Sequence, residues 1–204
     1  QFLERILVTF PDTEQVVLAG SSAGGVGALL NFERVVQAFD GVPVTLLDDS
    51  GPVMSDDFLK PCLQQLWRDA WNLNAVLPQD CASCVEGSGG MIDALTHLAD
   101  KYPEHRLGLI LSTQDDVFRN FFGFGAQECT AYAPLDGPTF AAGVLDLRDR
   151  VLAPHPNVRL YLRDHTQHVY LRDPMNRHTV DGVPMATWIR QLIEGDPAWN
   201  HVGP

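Results

Sequence analysis

Short apolar runs alternate along this chain with longer stretches in which apolar residues recur every three or four positions. The runs around Gln15–Ala19, Val42–Leu47, Arg106–Leu111 and Asn157–Leu162 predict four strands. None shows a period-two alternation, the mark of strands covered on both faces of a parallel sheet. Pro43 falls near the start of the second run, where a missing N–H is tolerated. Ser22 to about Phe39 predicts a helix with Val26, Leu29, Leu30, Phe32, Val35 and Val36 largely on one face. Further helices are predicted over 56–74, 91–101 (ended by Pro103), 116–122, 140–152 and 185–193, with loops over 78–90 and 123–138. The text at Gln1 is helix-like, and a strand follows almost at once. Strands separated by helices specify an α/β fold, a parallel sheet with helices on both faces. No repeat or low-complexity tract divides it, so 1–204 reads as one α/β unit.

Composition narrows the class. Of 204 residues 45% are hydrophobic and 20% charged, enough for a core and inconsistent with wholesale disorder. Lys plus Arg number 14 against 26 for Asp plus Glu, a formal charge of −12 that repels phosphate backbones and anionic lipid. Nucleic-acid and membrane-surface partners are therefore not expected. No apolar run approaches the roughly 20 residues of a membrane span, and no basic-then-apolar signal segment opens the chain. Four cysteines, an even number, fit an oxidising extracytoplasmic setting.

The chemistry concentrates at Val16-Val-Leu-Ala-Gly20-Ser21-Ser22-Ala23-Gly24-Gly25. A strand, then Gly-x-Ser-x-Gly, then an amphipathic helix is the context of a nucleophile elbow, which lifts a serine hydroxyl above the sheet edge. Ser22 is the candidate nucleophile because it is central between Gly20 and Gly24; Ser21 is the rival hydroxyl. The Ala23 N–H, at the positive end of a helix, is a natural oxyanion donor, and Ser21 and Gly24 are candidate substrate contacts. A plain Gly-rich turn, or one that binds phosphate, is the alternative. In hydrolases of this kind the acid and histidine follow the serine in chain order. Ser112-Thr-Gln-Asp115-Asp116 follows the third strand, and Arg163-Asp-His165-Thr-Gln-His168 follows the fourth. Asp115 or Asp116 would be the acid, with helix capping as the competing role. His165 or His168 would be the base, against an exposed polar loop. His165, His168 and His178 follow no recognised zinc spacing, so no metal is expected.

These residues carry a resemblance. Leu18-Ala-Gly-Ser-Ser-Ala-Gly-Gly25 with its following helix resembles the pectin acetylesterase and Notum family of serine hydrolases. Leu47-Asp-Asp-Ser-Gly51, Trp71-Asn-Leu with Leu77-Pro78 and Cys81, and Ser112 to Phe122 are similar to further family segments. His168-Val-Tyr-Leu171, Val180-Asp-Gly-Val183 and Trp188-Ile189 resemble the His-bearing segment and final helix of bacterial members. The resemblance implies Ser22 as nucleophile, Asp115 as acid and His168 as base. It implies a carboxyl-ester hydrolase that uses no cofactor and acts on acetylated polysaccharide or a fatty-acylated protein.

Family members carry an upstream half with the first strands and a Gly-rich loop that supplies a second oxyanion donor. On this reading the chain is the downstream part of a larger hydrolase, and its missing strands would come from another chain or segment. The Gln15–Ala19 strand would otherwise have a bare edge.

The resemblance also favours structural disulfides over a redox Cys81-Ala-Ser-Cys84 or a zinc site, with three pairings open, and a secreted or periplasmic location. Trp67, Trp71, Phe121, Phe122 and Phe124 could line an acyl or sugar pocket, although the helical spacing of Trp67 and Trp71 favours core packing. Asp48 and Asp49, following a strand, could approach the active edge, with a turn role as the default. The negative charge weighs against polygalacturonate, so an acetyl or other short-acyl ester is expected. The alternatives are a lipid- or protein-acyl esterase, or an inactive binding module.

Overall fold

The computed structural model describes residues 2–85, 87 and 89–204. In chain order its elements are α1 Phe2–Thr9, β1 Val16–Ser21, α2 Ala23–Ala38, β2 Val44–Asp49, α3 Pro61–Trp71, α4 Ala82–Val85 and α5 Met91–Lys101. Then come β3 Arg106–Ser112, α6 Asp116–Phe122, α7 Ala126–Cys129, α8 Gly137–Asp146, β4 Val158–Arg163, β5 Thr179–Val180, β6 Val183–Pro184 and α9 Met185–Glu194. Strands β1 to β4 form one parallel sheet in the order β1-β2-β3-β4, and β5 and β6 form a separate hairpin. The fold is thus α/β-hydrolase-like.

Sequential order has a geometric consequence. Right-handed crossovers between successive parallel neighbours put every connecting helix on the same face of the sheet. That face holds the larger core, with Leu29, Phe32, Leu95, Phe118 and Phe140 from the helices against Leu46, Leu109 and Leu160 from the strands. The alternate strand residues Leu47, Ile110 and Tyr161 point the other way and meet Trp188 and Leu192 of α9, with Trp199 beyond it. Gly108 lets α9 approach: a Cβ there would lie 2.4 Å from a Leu192 methyl and 3.0 Å from the Trp188 ring. Val202 bridges to Tyr161, so the end of the chain lies along β4. Among the described residues no strand pairs with the outer edge of β1, where Val17 is 42% exposed.

Several boundaries differ from expectation for local reasons. The helix expected over 56–74 begins only at Pro61, which supplies a preset φ at the first helical position, and it ends at Asn72 in the left-handed conformation (φ 50°). The helix expected from 140 starts at Gly137 because Asp136 caps it, accepting the Thr139 N–H at 2.8 Å. Parts of the expected loops form the short turns α4 and α7; Glu86 and Ser88 of the 78–90 loop lie outside the described residues. The β5–β6 hairpin was not foreseen, being only two residues long on each side.

Candidate active site

All the chemistry sits at the carboxyl ends of the parallel strands, the edge where α/β sheets present their sites. Ser22 occupies the turn between β1 and α2 with φ 60° and ψ −128°, a backbone region that a non-glycine residue enters only under strain. Two contacts hold it there. Its N–H donates to the Asp49 carbonyl at 2.8 Å, and its carbonyl accepts the Gly25 N–H at 2.8 Å. The two motif glycines are not equivalent. A Cβ on Gly20 would fall 1.9 Å from the Gly24 carbonyl oxygen, whereas one on Gly24 would meet nothing within 4 Å. Ala23 is the first residue of α2, so its N–H belongs to the set that has no acceptor within the helix.

Asp115 ends the segment after β3, is buried, and divides its carboxylate between two tasks. Oδ1 accepts the Val117 and Phe118 N–H groups, both at 2.9 Å, which caps α6; Oδ2 lies 2.8 Å from His168 Nδ1. Capping and holding the histidine are compatible because they use different oxygens. Asp116 instead faces outward and pairs with Arg119 at 3.3 Å. His168 also lies against the Phe118 ring, centroid to centroid 5.6 Å. The three clustered histidines go separate ways. His165 Nδ1 accepts the Gln167 N–H at 2.9 Å, and His178 Nδ1 accepts from Arg163 at 3.2 Å. Among the described residues no group of three or more His, Cys, Asp or Glu side chains is arranged to hold a metal.

Beside Ser22 opens a cavity of about 350 Å³ lined by Ser22, Ala23, Val26, Leu30, Trp67, Trp71, Phe118 and Phe121, among others. Trp71 is therefore a pocket wall and not core, 59% exposed, because its part of α3 borders the cavity beside Ser22. Phe121 is a wall as well, while Phe122 is buried in the core and Phe124 pairs with Tyr132 at a centroid distance of 4.9 Å. The disulfide Cys62–Cys129 joins the start of α3 to the segment that follows Phe121, tying two walls of this cavity together; Cys81–Cys84 closes the C-x-x-C on itself. Neither Ser21 nor Gly24 lines the cavity, and the Ser21 hydroxyl donates to Asp49 Oδ2 at 2.9 Å. Among the described residues Ser22 Oγ and His168 Nε2 have no hydrogen-bond partner, from each other or elsewhere.

Asp48 and Asp49, which the sequence allows to approach the active edge beside a default turn role, are two buried carboxyls just below that edge. Asp49 gathers donors from distant parts of the chain. Asp48, beneath Gly25 and Gly51, has no hydrogen-bond partner on either oxygen. Burial, followed by the neighbouring Asp49, pushes its carboxyl up to about 8. The N–H groups that Asp49 accepts from the histidine loop lie 121 and 122 residues on, so local pattern alone does not single it out.

No protein-family model matches the chain, and none of the curated proteins matches it. No helix among the described residues is long and apolar enough to cross a membrane.

Proposed function

We propose that the protein is a serine carboxyl-ester hydrolase working through an acyl-enzyme. The observation that carries this reading is the strained Ser22 at a strand-to-helix turn, on the same sheet edge as a His168–Asp115 pair 2.8 Å apart. Ser22 Oγ attacks the ester carbonyl carbon while His168 Nε2 takes the hydroxyl proton. Asp115 holds Nδ1–H and so fixes the tautomer that leaves Nε2 basic. The tetrahedral oxyanion faces the Ala23 N–H at the positive end of α2. Collapse expels the alcohol, which leaves with the proton from His168. Water then attacks the acyl-enzyme, gives its proton to His168, and the acid departs as Ser22 recovers its hydrogen. The chemistry needs no cofactor.

The cavity bears on the acyl group. At about 350 Å³ with almost wholly apolar walls, it exceeds what an acetyl group fills. The proposal therefore moves from the acetyl or short-acyl ester expected from sequence to a medium-chain acyl ester. The two disulfides agree with a secreted or periplasmic setting, where such bonds persist.

The test is a series of p-nitrophenyl esters from acetyl to decanoyl, with fluorophosphonate labelling alongside. Wild-type protein takes the label and Ser22→Ala does not. Each added methylene that enters the cavity contributes about 0.8 kcal/mol, so kcat/KM climbs about fourfold per carbon until the pocket is full. Unchanged turnover in Ser22→Ala overturns the assignment of the nucleophile. Absence of both label and turnover in the wild type marks a binding module, and a maximum at acetyl overturns the acyl-length reading alone.

A further inference from the structure

Asp49 touches both halves of the site. It is fully buried at the end of β2, next to Ser21 in the sheet register. Toward the nucleophile turn, its carbonyl accepts the Ser22 N–H at 2.8 Å and its Oδ2 accepts the Ser21 hydroxyl at 2.9 Å. Toward the histidine loop, the Tyr170 N–H lies 2.9 Å from Oδ1 and 3.0 Å from Oδ2, and the Leu171 N–H lies 3.0 Å from Oδ2. Ser50 extends the grip, donating to Asp49 Oδ1 at 3.3 Å and accepting the Val169 N–H at 3.1 Å. Thus the three consecutive N–H groups after His168 all end on Asp49 and Ser50. Val169 is held at φ 61°, an unfavourable conformation for a β-branched residue that persists only where its surroundings impose it.

We propose that Asp49 is a positioning residue that sets the separation between Ser22 and His168; the inference rests on the esterase reading. Asp115 orients the imidazole ring, whereas Asp49 fixes where the histidine's backbone stands relative to the nucleophile turn. Only a carboxylate suits the place. Every partner of its side chain in this cluster can donate, and the two N–H groups cannot reverse their role. In Asp49→Asn the amide nitrogen meets the Tyr170 N–H if it replaces Oδ1, and both the Tyr170 and Leu171 N–H groups if it replaces Oδ2. Either rotamer opposes donor to donor, releases the loop, and lets His168 drift.

The experiment compares wild type, Asp49→Asn and Ser50→Ala on p-nitrophenyl butyrate, with thermal melts and with fluorophosphonate titration to count competent sites. Displacing a reacting group by about 1 Å costs on the order of 100-fold. Asp49→Asn therefore loses about 100-fold in kcat per folded molecule, with KM within about twofold of wild type. A purely structural role lowers the melting temperature but leaves kcat per folded molecule unchanged, and that result overturns the inference. Should Asp49→Asn not fold, Ser50→Ala decides, because it frees the Val169 N–H and removes one donor from Asp49 Oδ1 while the Tyr170 and Leu171 N–H groups stay on Asp49: about tenfold lower kcat at unchanged KM supports the inference, and unchanged kcat overturns it. A wild type that neither hydrolyses ester nor takes label overturns the esterase reading and this inference with it. An active, labelled wild type beside an unimpaired Asp49→Asn overturns this inference alone.

Discussion

Replacing Asp48 by Asn is expected to stabilise the protein near neutral pH, and the size follows from one buried group. Asp48 has no exposed surface, and neither oxygen has a partner at hydrogen-bonding geometry. The Gly51 N–H leans toward it and offsets the burial only in part, leaving the folded carboxyl near 8 against 3.8 for the free side chain. Folding therefore requires Asp48 to take up a proton wherever the pH lies between those two values. The raised folded pKa means that the favourable contribution is complete below the unfolded value and is lost as pH rises through the folded one. At about 1.4 kcal/mol per pH unit, some three units separate the unfolded value from pH 7, and wild type has given up about 4 kcal/mol there relative to acid. Asn has the shape of the protonated acid and nothing to titrate. Urea unfolding of both proteins from pH 4.5 to 8.5 isolates the effect, because other titrating groups cancel in the difference. The two are expected to differ little at the acid end, and the Asp48→Asn advantage is expected to grow by about 1.4 kcal/mol per pH unit to a plateau above pH 8. A difference that stays flat across the range, to within about 1 kcal/mol, would show that Asp48 is not held protonated.

The dual use of Asp115 separates two substitutions. Asp115→Asn is expected to lower kcat by about 10⁴-fold, as loss of the histidine's correct tautomer does in a serine triad. Asp115→Ala adds the loss of the α6 cap and a further 0.5–2 kcal/mol or so of stability, read by denaturant melts. At the elbow, Gly20→Ala drives a methyl group to within 1.9 Å of backbone oxygen and is expected to abolish fluorophosphonate labelling, while Gly24→Ala meets open space and keeps it. Equal labelling of the two variants would remove the argument that Gly20 alone shapes the turn.

The strands and their parallel pairing were legible because runs such as Leu107–Leu111 lack alternation, a pattern that records burial on both faces for β3, although β1, whose run looks the same, leaves Val17 and Ala19 exposed. The strained turn at Ser22 was legible for a similar reason, since its parts are adjacent in sequence. The Asp115–His168 pair was legible only as one of several combinations of neighbouring acids and histidines. Residues 115 and 116 are both acidic and either could cap a helix, and the choice between them depends on which carboxylate faces His168, 53 positions on. That choice also posed a false opposition. Capping and histidine binding were weighed as rivals, yet the two oxygens of Asp115 do one each.

Trp67 and Trp71 show the converse limit: the core packing their spacing suggests holds in part for Trp67, which packs against the core, but not for Trp71, which is exposed. Only the placement of α3 beside Ser22 makes both residues cavity walls. Asp49 was legible as a carboxylate able to approach the active edge but not in what it holds, because the N–H groups it accepts lie 121 and 122 residues away. What distinguishes it from Asp48 is also non-local. Adjacent strand residues point to opposite faces of a sheet. So one carboxyl reaches the histidine loop and finds donors, while its neighbour turns under Gly25 and finds none. The pair places a well-satisfied carboxyl beside an unpartnered one directly beneath the strained serine. Asp48→Asn and Asp49→Asn, identical in chemistry and adjacent in sequence, should therefore act oppositely, the first on stability and the second on turnover.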